Sequence, residues 1–553
     1  MRLDVAWTGR APVRSAARLE ARLVFWLSAL GYLALSAWLI LDRHLIFGDA
    51  LSRVGNAQYV VSAHDPHLAA IGFVWNPLPS LLLIPAIPLR AVWPAAVATG
   101  FVAGVESALF MAGVVAQVRG TFEDLGLRRS VRLGLTAVLA VQPMILVYAY
   151  NGMSEAPLLL FSVVVVRQLM RWLHGRSIRA LLRCGLALGL AYLTRYEAVA
   201  PALAVFGLVV AVSFGRATGT WRERRGAALV DGALVGLPFV LSFAGWAVIS
   251  RVIVKQWFPT FQSEYGNSAQ VATNRSYIDG VIGHSTAQRL DYVTHQVLSL
   301  EPVLIALMLM SLVLLVATRD LRLLAPFAGL GAVLAFDIFA TVTGRSFGWL
   351  RFDIAAIPLA VLLGGAMLVH ATRRRWQAPA ALLALAMLAP AGITSYQALL
   401  DPRLGREESS VLTEVLAPSR ATPAERVADE RFSSAGEIAA QIDRAGYRHI
   451  LTDAAYSFPV LLAARDTSRY VITPDRDFER SLADPLTFGI RYLLVADPRG
   501  ASADALDRAF PGVYDGGWPG GRLVRSWPAS LGGLGWKLYA LPKSGGQVLS
   551  SGA

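Results

Sequence analysis

Leu23-Val-Phe-Trp-Leu-Ser-Ala-Leu-Gly-Tyr-Leu-Ala-Leu-Ser-Ala-Trp-Leu-Ile-Leu41 carries no charged residue and stops against Asp42-Arg43-His44. A helix of that length, at about 1.5 Å per residue, spans most of a hydrocarbon core of about 30 Å. Arginines 2, 10, 14, 18 and 22 precede it. The run is too long for a signal-peptide core and has no small-residue cleavage site, so it reads as a retained first transmembrane helix. Leu300 to Ala317 and Ile354 to Val369 repeat the pattern, with Glu301 the one charge. Of the 553 residues, 55% are hydrophobic and 16% charged. A soluble fold cannot hide that much apolar surface, whereas a bilayer can.

Working outward, apolar runs place helices at roughly 23–41, 95–118, 133–150, 156–171, 183–195, 198–214, 228–250, 300–317, 323–343, 351–370 and 378–397. The fold class is therefore a mainly α-helical polytopic membrane protein of about eleven transmembrane helices, with a small C-terminal α/β domain. The formal charge is +13, but the arginines cluster in alternate short loops such as Arg128-Arg129, Arg222 to Arg225 and Arg373-Arg374-Arg375. That alternation marks a cytoplasmic side and gives no reason to invoke nucleic acid. It holds only if 77–93, broken by four prolines, lies at the interface without crossing.

The resulting organisation is a cytoplasmic N-terminus (1–22) and a membrane module (23–397) with outer loops 42–94 and 251–299. A linker (398–432) leads to an extracytoplasmic domain (433–545) with strands near 449–452, 470–473, 492–496 and 536–541. Lysine occurs only at 255, 537 and 543, which points to a GC-rich bacterial source and hence a bacterial plasma membrane. The single cysteine, Cys184, permits no internal disulfide or cysteine metal site.

The loop 42–94 is the most informative segment. Asp49 opens a short amphipathic helix, Asp49 to Val60, which carries Tyr59; His64-Asp65-Pro66-His67 follows, then Trp75-Asn-Pro-Leu-Pro79. Downstream come Tyr150-Asn-Gly-Met-Ser-Glu155, Gly189-Leu-Ala-Tyr-Leu-Thr-Arg195-Tyr-Glu197 and Arg351-Phe-Asp353 with Pro358 beyond. In this order, over about residues 20–400, the chain resembles the GT-C-type polytopic glycosyltransferases that use polyprenyl-phosphate sugars. These include the protein mannosyltransferases, the lipid A aminoarabinose transferases and envelope arabinosyl- and mannosyltransferases. It departs from the pattern at Ala50, where many members have a second acid, and at Arg195, where they have lysine.

The resemblance implies sugar transfer from a polyprenyl-phosphate donor to an envelope glycan, lipid or protein acceptor on the outer face. An acceptor hydroxyl needs a carboxylate to take its proton, and Asp49 is the candidate base for an inverting displacement. The departing phosphate gains charge that guanidinium groups can hold, so Arg195 and Arg351 are candidates, with Glu155 orienting the sugar or Arg195. Glu197, Asp337, Tyr59 and Asp65 complete the substrate-binding candidates. Plainer readings stay open: Asp49 as a solvated helix cap, Arg195 with Glu197 as a local pair, and Arg351 as an interfacial anchor. No metal site is assigned, although His64 and His67 around Asp65 leave a divalent ion open. The rival functions are a secondary transporter or flippase of lipid-linked intermediates, for which no repeated halves are visible, and a non-catalytic envelope scaffold. Loop 251–299 has the length and composition of a segment closing over substrate, or of a simple cover.

Overall fold

The computed structural model describes residues 11–370, 377–422, 433–501, 503–529 and 533–542. Arg2, Arg10, the basic turn Arg373-Arg374-Arg375 and linker residues 423–432 fall outside the described residues. Helix α1 (Ala11–Ser36) continues into a π-helical turn, Ala37–Asp42. Among the described residues, eight stretches are long and apolar enough to cross a bilayer: Ala16–Asp42, Phe101–Asp124, Glu155–Gly175, Tyr196–Arg216, Trp221–Ile253, Leu321–Val342, Leu350–Leu368 and Ala378–Leu399. Two bent pairs raise the number to ten if each is one crossing. The remaining expected segment is the helix Ile178–Thr194, shorter at 17 residues.

Proline accounts for both bends. Arg129–Ala140 and Pro143–Tyr150 meet at 64°, where the expected helix 133–150 is continuous. Pro143 cannot donate to the preceding turn, and the Gln142 side chain caps the second half by accepting from the Ile145 amide at 3.1 Å. Thr286–Leu300 and Leu304–Thr318 meet at 83° around Glu301-Pro302.

Small residues bring the helices close together. A Cβ on Gly185 would meet the Val235 carbonyl oxygen at 2.5 Å, and one on Gly189 would meet Ser242 Oγ at 2.7 Å. These glycines, four residues apart, let Ile178–Thr194 lie directly on Trp221–Ile253. The opposite side of Trp221–Ile253 exposes Leu229, Leu237, Leu241 and Val248, an apolar face suited to lipid.

Loop 42–94 forms helix α2 (Gly48–Val61) and a short proline-broken helix over Leu78–Ala91. The expected loop 251–299 is largely helical: Pro259–Gln262, Asn267–Thr273, Arg275–Ile282 and Thr286–Leu300. Ser285 and Gln288 form a capping box at the start of the last of these.

The C-terminal unit is a five-stranded sheet in the order β2 (Tyr470–Ile472), β1 (Ile450–Thr452), β3 (Tyr492–Ala496), β5 (Trp536–Ala540) and β4 (Arg522–Trp527). β1 runs parallel to β2 and β3, while β5 is antiparallel to β3 and β4. This unit sits on α2. Tyr59 enters its core, Gln58 Nε2 donates to the Leu461 carbonyl at 3.3 Å, and Asp65 pairs with Arg476 at 2.5 Å.

Candidate active site

Four helix ends and one linker helix bring charge to a cavity of about 390 Å³. Phe47, in extended conformation, starts α2, so the Asp49 carboxylate lies in the first helical turn, where the positive end of the helix favours it. Arg351 lies in the tight turn Leu350–Ala355 at the head of a span. Its Nη2 donates to Asp49 Oδ2 at 2.9 Å, its Nη1 pairs with Glu407, and its Nε lies 3.6 Å from Glu155. The Arg351 side chain is 7% exposed and that of Asp49 is 40% exposed. The pair therefore has one inner partner and one that substrate can reach.

Arg195 is the second node. Its extended backbone breaks the chain between Ile178–Thr194 and the turn Tyr196–Ala198. From there Nη1 reaches Glu155 Oε1 at 2.6 Å and Ser154 Oγ at 3.2 Å, and Nη2 reaches Glu197 Oε1 at 2.6 Å. Glu155 thus stands between the two guanidinium groups. Glu155 Oε2 and Glu197 Oε2 are buried without protein partners. Asp337 lines a small void with Glu155, Arg195 and Arg351.

Two participants carry no motif in the sequence. Arg53, one helical turn after Asp49, stacks 4.6 Å over the Trp75 ring and donates to Ser154 Oγ at 3.1 Å. Its Nε and Nη1 are buried without partners although the residue lines the cavity. Burial pulls this guanidinium down to about 10, against the Asp49 carboxylate that favours its charge, so it stays protonated at neutral pH. Glu407 comes from the helix Arg406–Leu416 in the linker. Burial pushes its carboxyl up, opposed by Arg351 and reinforced by Asp49, Glu408 and Glu155. The sequence places that stretch in the linker 398–432, and nothing local assigns Glu407 to a site.

The structure brings Asp49, Arg195, Glu197 and Arg351 around this one space, with Glu155 and Asp337 at the adjoining void that Arg195 and Arg351 share. It places Tyr59 and Asp65 elsewhere. Tyr59 is buried in the core of the C-terminal unit, and Asp65 holds Arg476 of that unit. The reason is that α2 has two faces, and the turn after it lies beneath the sheet domain. His64 lies 3.4 Å from Asp477, and His67 Nδ1 is 2.6 Å from the Asp65 carbonyl. Among the described residues no three His, Cys, Asp or Glu converge as metal ligands. The cavity's own carboxylates face guanidinium groups, so this donor set does not fit a divalent ion.

Asn267, Gln270, Asn274 and Tyr277 from the loop helices and Trp349 and Phe352 from the turn around Arg351 complete the wall. The arrangement offers three guanidinium groups for an anion, one reachable carboxylate, and polar and aromatic side chains for a hydroxylated ring.

Comparison with known proteins agrees with the architecture. Residues 96–246 match the family described as dolichyl-phosphate-mannose-protein mannosyltransferase. That segment contains Glu155, Arg195 and Glu197. No curated protein matches. The fold is similar to ArnT from Cupriavidus metallidurans, solved bound to undecaprenyl phosphate, at 14% identity and a TM-score of 0.51, covering 96% of this chain and 98% of that one. A looser likeness is to an Archaeoglobus fulgidus oligosaccharyltransferase, at 13% identity and a TM-score of 0.45, covering 85% and 67%. The chain thus has helices long and apolar enough to cross a membrane, a fold similar to that of ArnT, and one segment, residues 96–246, that matches the mannosyltransferase family model.

Proposed function

We propose that this protein moves a sugar from a polyprenyl-phosphate donor onto a hydroxyl of an envelope glycan, lipid or protein, on the outer face of a bacterial plasma membrane. The observation that carries the reading is the Asp49–Arg351 contact of 2.9 Å at the edge of a cavity that also holds Arg53 and Arg195. An anionic headgroup entering this space competes with Asp49 for Arg351. The guanidinium turns to phosphate, and the carboxylate is released beside the acceptor. The acceptor oxygen attacks the anomeric carbon as Asp49 takes its proton. The bond from that carbon to the phosphate oxygen breaks, and polyprenyl phosphate departs with its new charge held by Arg351, Arg195 and Arg53. Attack opposite the leaving group inverts the anomeric centre.

The crossing pattern supports the outer face. α2 follows the first crossing and carries the C-terminal domain, so both lie opposite the N-terminus. Between them the chain must cross an even number of times. Seven long helices, two bent pairs and Ile178–Thr194 supply ten crossings. The basic loops then fall on the N-terminal, cytoplasmic side. Against a transporter, these charges sit at helix ends and not at the bilayer midplane.

The test is Asp49→Asn in purified protein with a polyprenyl-phosphate sugar. Turnover is expected to fall about 10²–10⁴-fold, while donor affinity stays within a few-fold. Undiminished turnover removes Asp49 as the base.

A further inference from the structure

At the other end of the same helices lies a second cavity, of about 610 Å³. Arg167, Arg171, Arg179, Arg183 and Arg322 line it, together with His174. The carboxylate in its wall is Asp124, which receives Arg167 Nε and Arg171 Nε at 2.7 Å each. Arg322 is held by Asp320 at 2.7 Å. Arg179 and Arg183 are exposed and have no carboxylate partner among the described residues. The cavity thus carries a cationic excess that the protein does not neutralise.

Its depth in the membrane follows from the helices. Glu155–Gly175 starts beside Arg195 and ends at this cavity, and Ile178–Thr194 starts here and ends beside Glu155. Their 21 and 17 residues separate the two cavities by about 25–30 Å, the thickness of the hydrocarbon layer. The basic cavity therefore sits at the opposite interface. Along Ile178–Thr194, Ile178, Leu182, Leu186 and Leu190 form an exposed apolar stripe at four-residue spacing, beside Arg179 and Arg183. A ligand held by the two arginines has its apolar part directed along that stripe.

We propose that this cavity binds the phosphate of an anionic phospholipid at the cytoplasmic interface, as a site separate from the donor cavity. Guanidinium forks match phosphate oxygens, and a basic pocket between transmembrane helices selects a charged headgroup. Phosphate chemistry is shared with soluble phosphates, and the test distinguishes the two. It does not depend on the transferase reading.

The full-length protein in detergent is titrated with phosphatidylglycerol, phosphatidylcholine or inorganic pyrophosphate, and bound copies are counted by native mass spectrometry. The variant combines Arg179→Gln with Arg183→Gln, and the control combines Arg222→Gln with Arg225→Gln, from a different basic loop. Phosphatidylglycerol is expected to bind the wild type and the control alike, and the variant about thirtyfold more weakly. Unchanged melting of the variant shows that its fold is intact. A pyrophosphate response lost in the variant, without a lipid response, overturns the phospholipid as the occupant and assigns the arginines to a soluble phosphate. Equal phosphatidylglycerol affinity in wild type and variant, or phosphatidylcholine binding as tightly as phosphatidylglycerol, overturns the proposal.

Discussion

Arg351 is the residue on which the charged cavity turns, because it touches Asp49, Glu155 and Glu407 at once. Only a planar fork can serve three carboxylates in different directions; an ammonium is a single point of charge. Arg351→Lys is therefore expected to lower donor turnover about hundredfold and to cost about 3 kcal/mol of stability, since buried carboxylates lose partners. Turnover assays with thermal melts check it, and near-normal values in both would show that position 351 needs only a charge. Asp49, Glu155, Arg195 and Arg351, which the structure groups, were singled out in the sequence by the order in which their motifs follow one another along the chain. Arg53 and Glu407 were not, since the burial that makes them notable is created by Trp75, Ser154 and Arg351, distant in the chain. Tyr59 and Asp65 misled for the same reason, because the domain that covers them joins the chain some 400 residues later.

Among the elements, the Gly185 and Gly189 contact supports the helix that ends at Arg195. Leucine at position 189 would force its Cβ into the Pro238 carbonyl, 2.9 Å from where it would stand. Gly189→Leu is expected to cost about 2–3 kcal/mol and to reduce turnover with it, whereas Gly207→Leu, in open space, leaves melting unchanged. Equal melting of the two variants would deny the close packing. The junction of α2 with the sheet domain carries a pH signature. The Arg476 side chain bonded to Asp65 lowers its carboxyl to about 2, from a usual value near 4. A lowered carboxylate stabilises the docked state above its unfolded value and loses that contribution as pH falls toward 2. Amide exchange in residues 62–71 of the full chain is thus expected to accelerate from about pH 4 to pH 2, beyond the intrinsic exchange trend, and Asp65→Asn to remove that excess. An identical pH response in the variant would exclude the pair. Most helices were legible from apolar runs, since lipid demands continuous hydrophobicity. Thr286–Leu300 was not, because its exposed polar face breaks the run, and β4 was not, because Arg522 to Trp527 is a mostly exposed edge strand with a bulge.

For the whole molecule, one arrangement explains the long helices, the charged cavity at their ends and the domain above them. In the proposed function, the bilayer holds an oily carrier, the interface holds its phosphate, and the loop helices with the C-terminal domain enclose the side from which an acceptor arrives. Tyr265 ties these parts together. Its hydroxyl donates to Asp453 at 2.9 Å, and Arg508 pairs with neighbouring Glu264 at 2.9 Å. The most direct measurement is an experimental structure of the full chain with polyprenyl phosphate. The account predicts phosphate density within hydrogen-bond reach of Arg351 and Arg195, with the Asp49–Arg351 contact opened. Phosphate density away from those two arginines, with that contact intact, would contradict it.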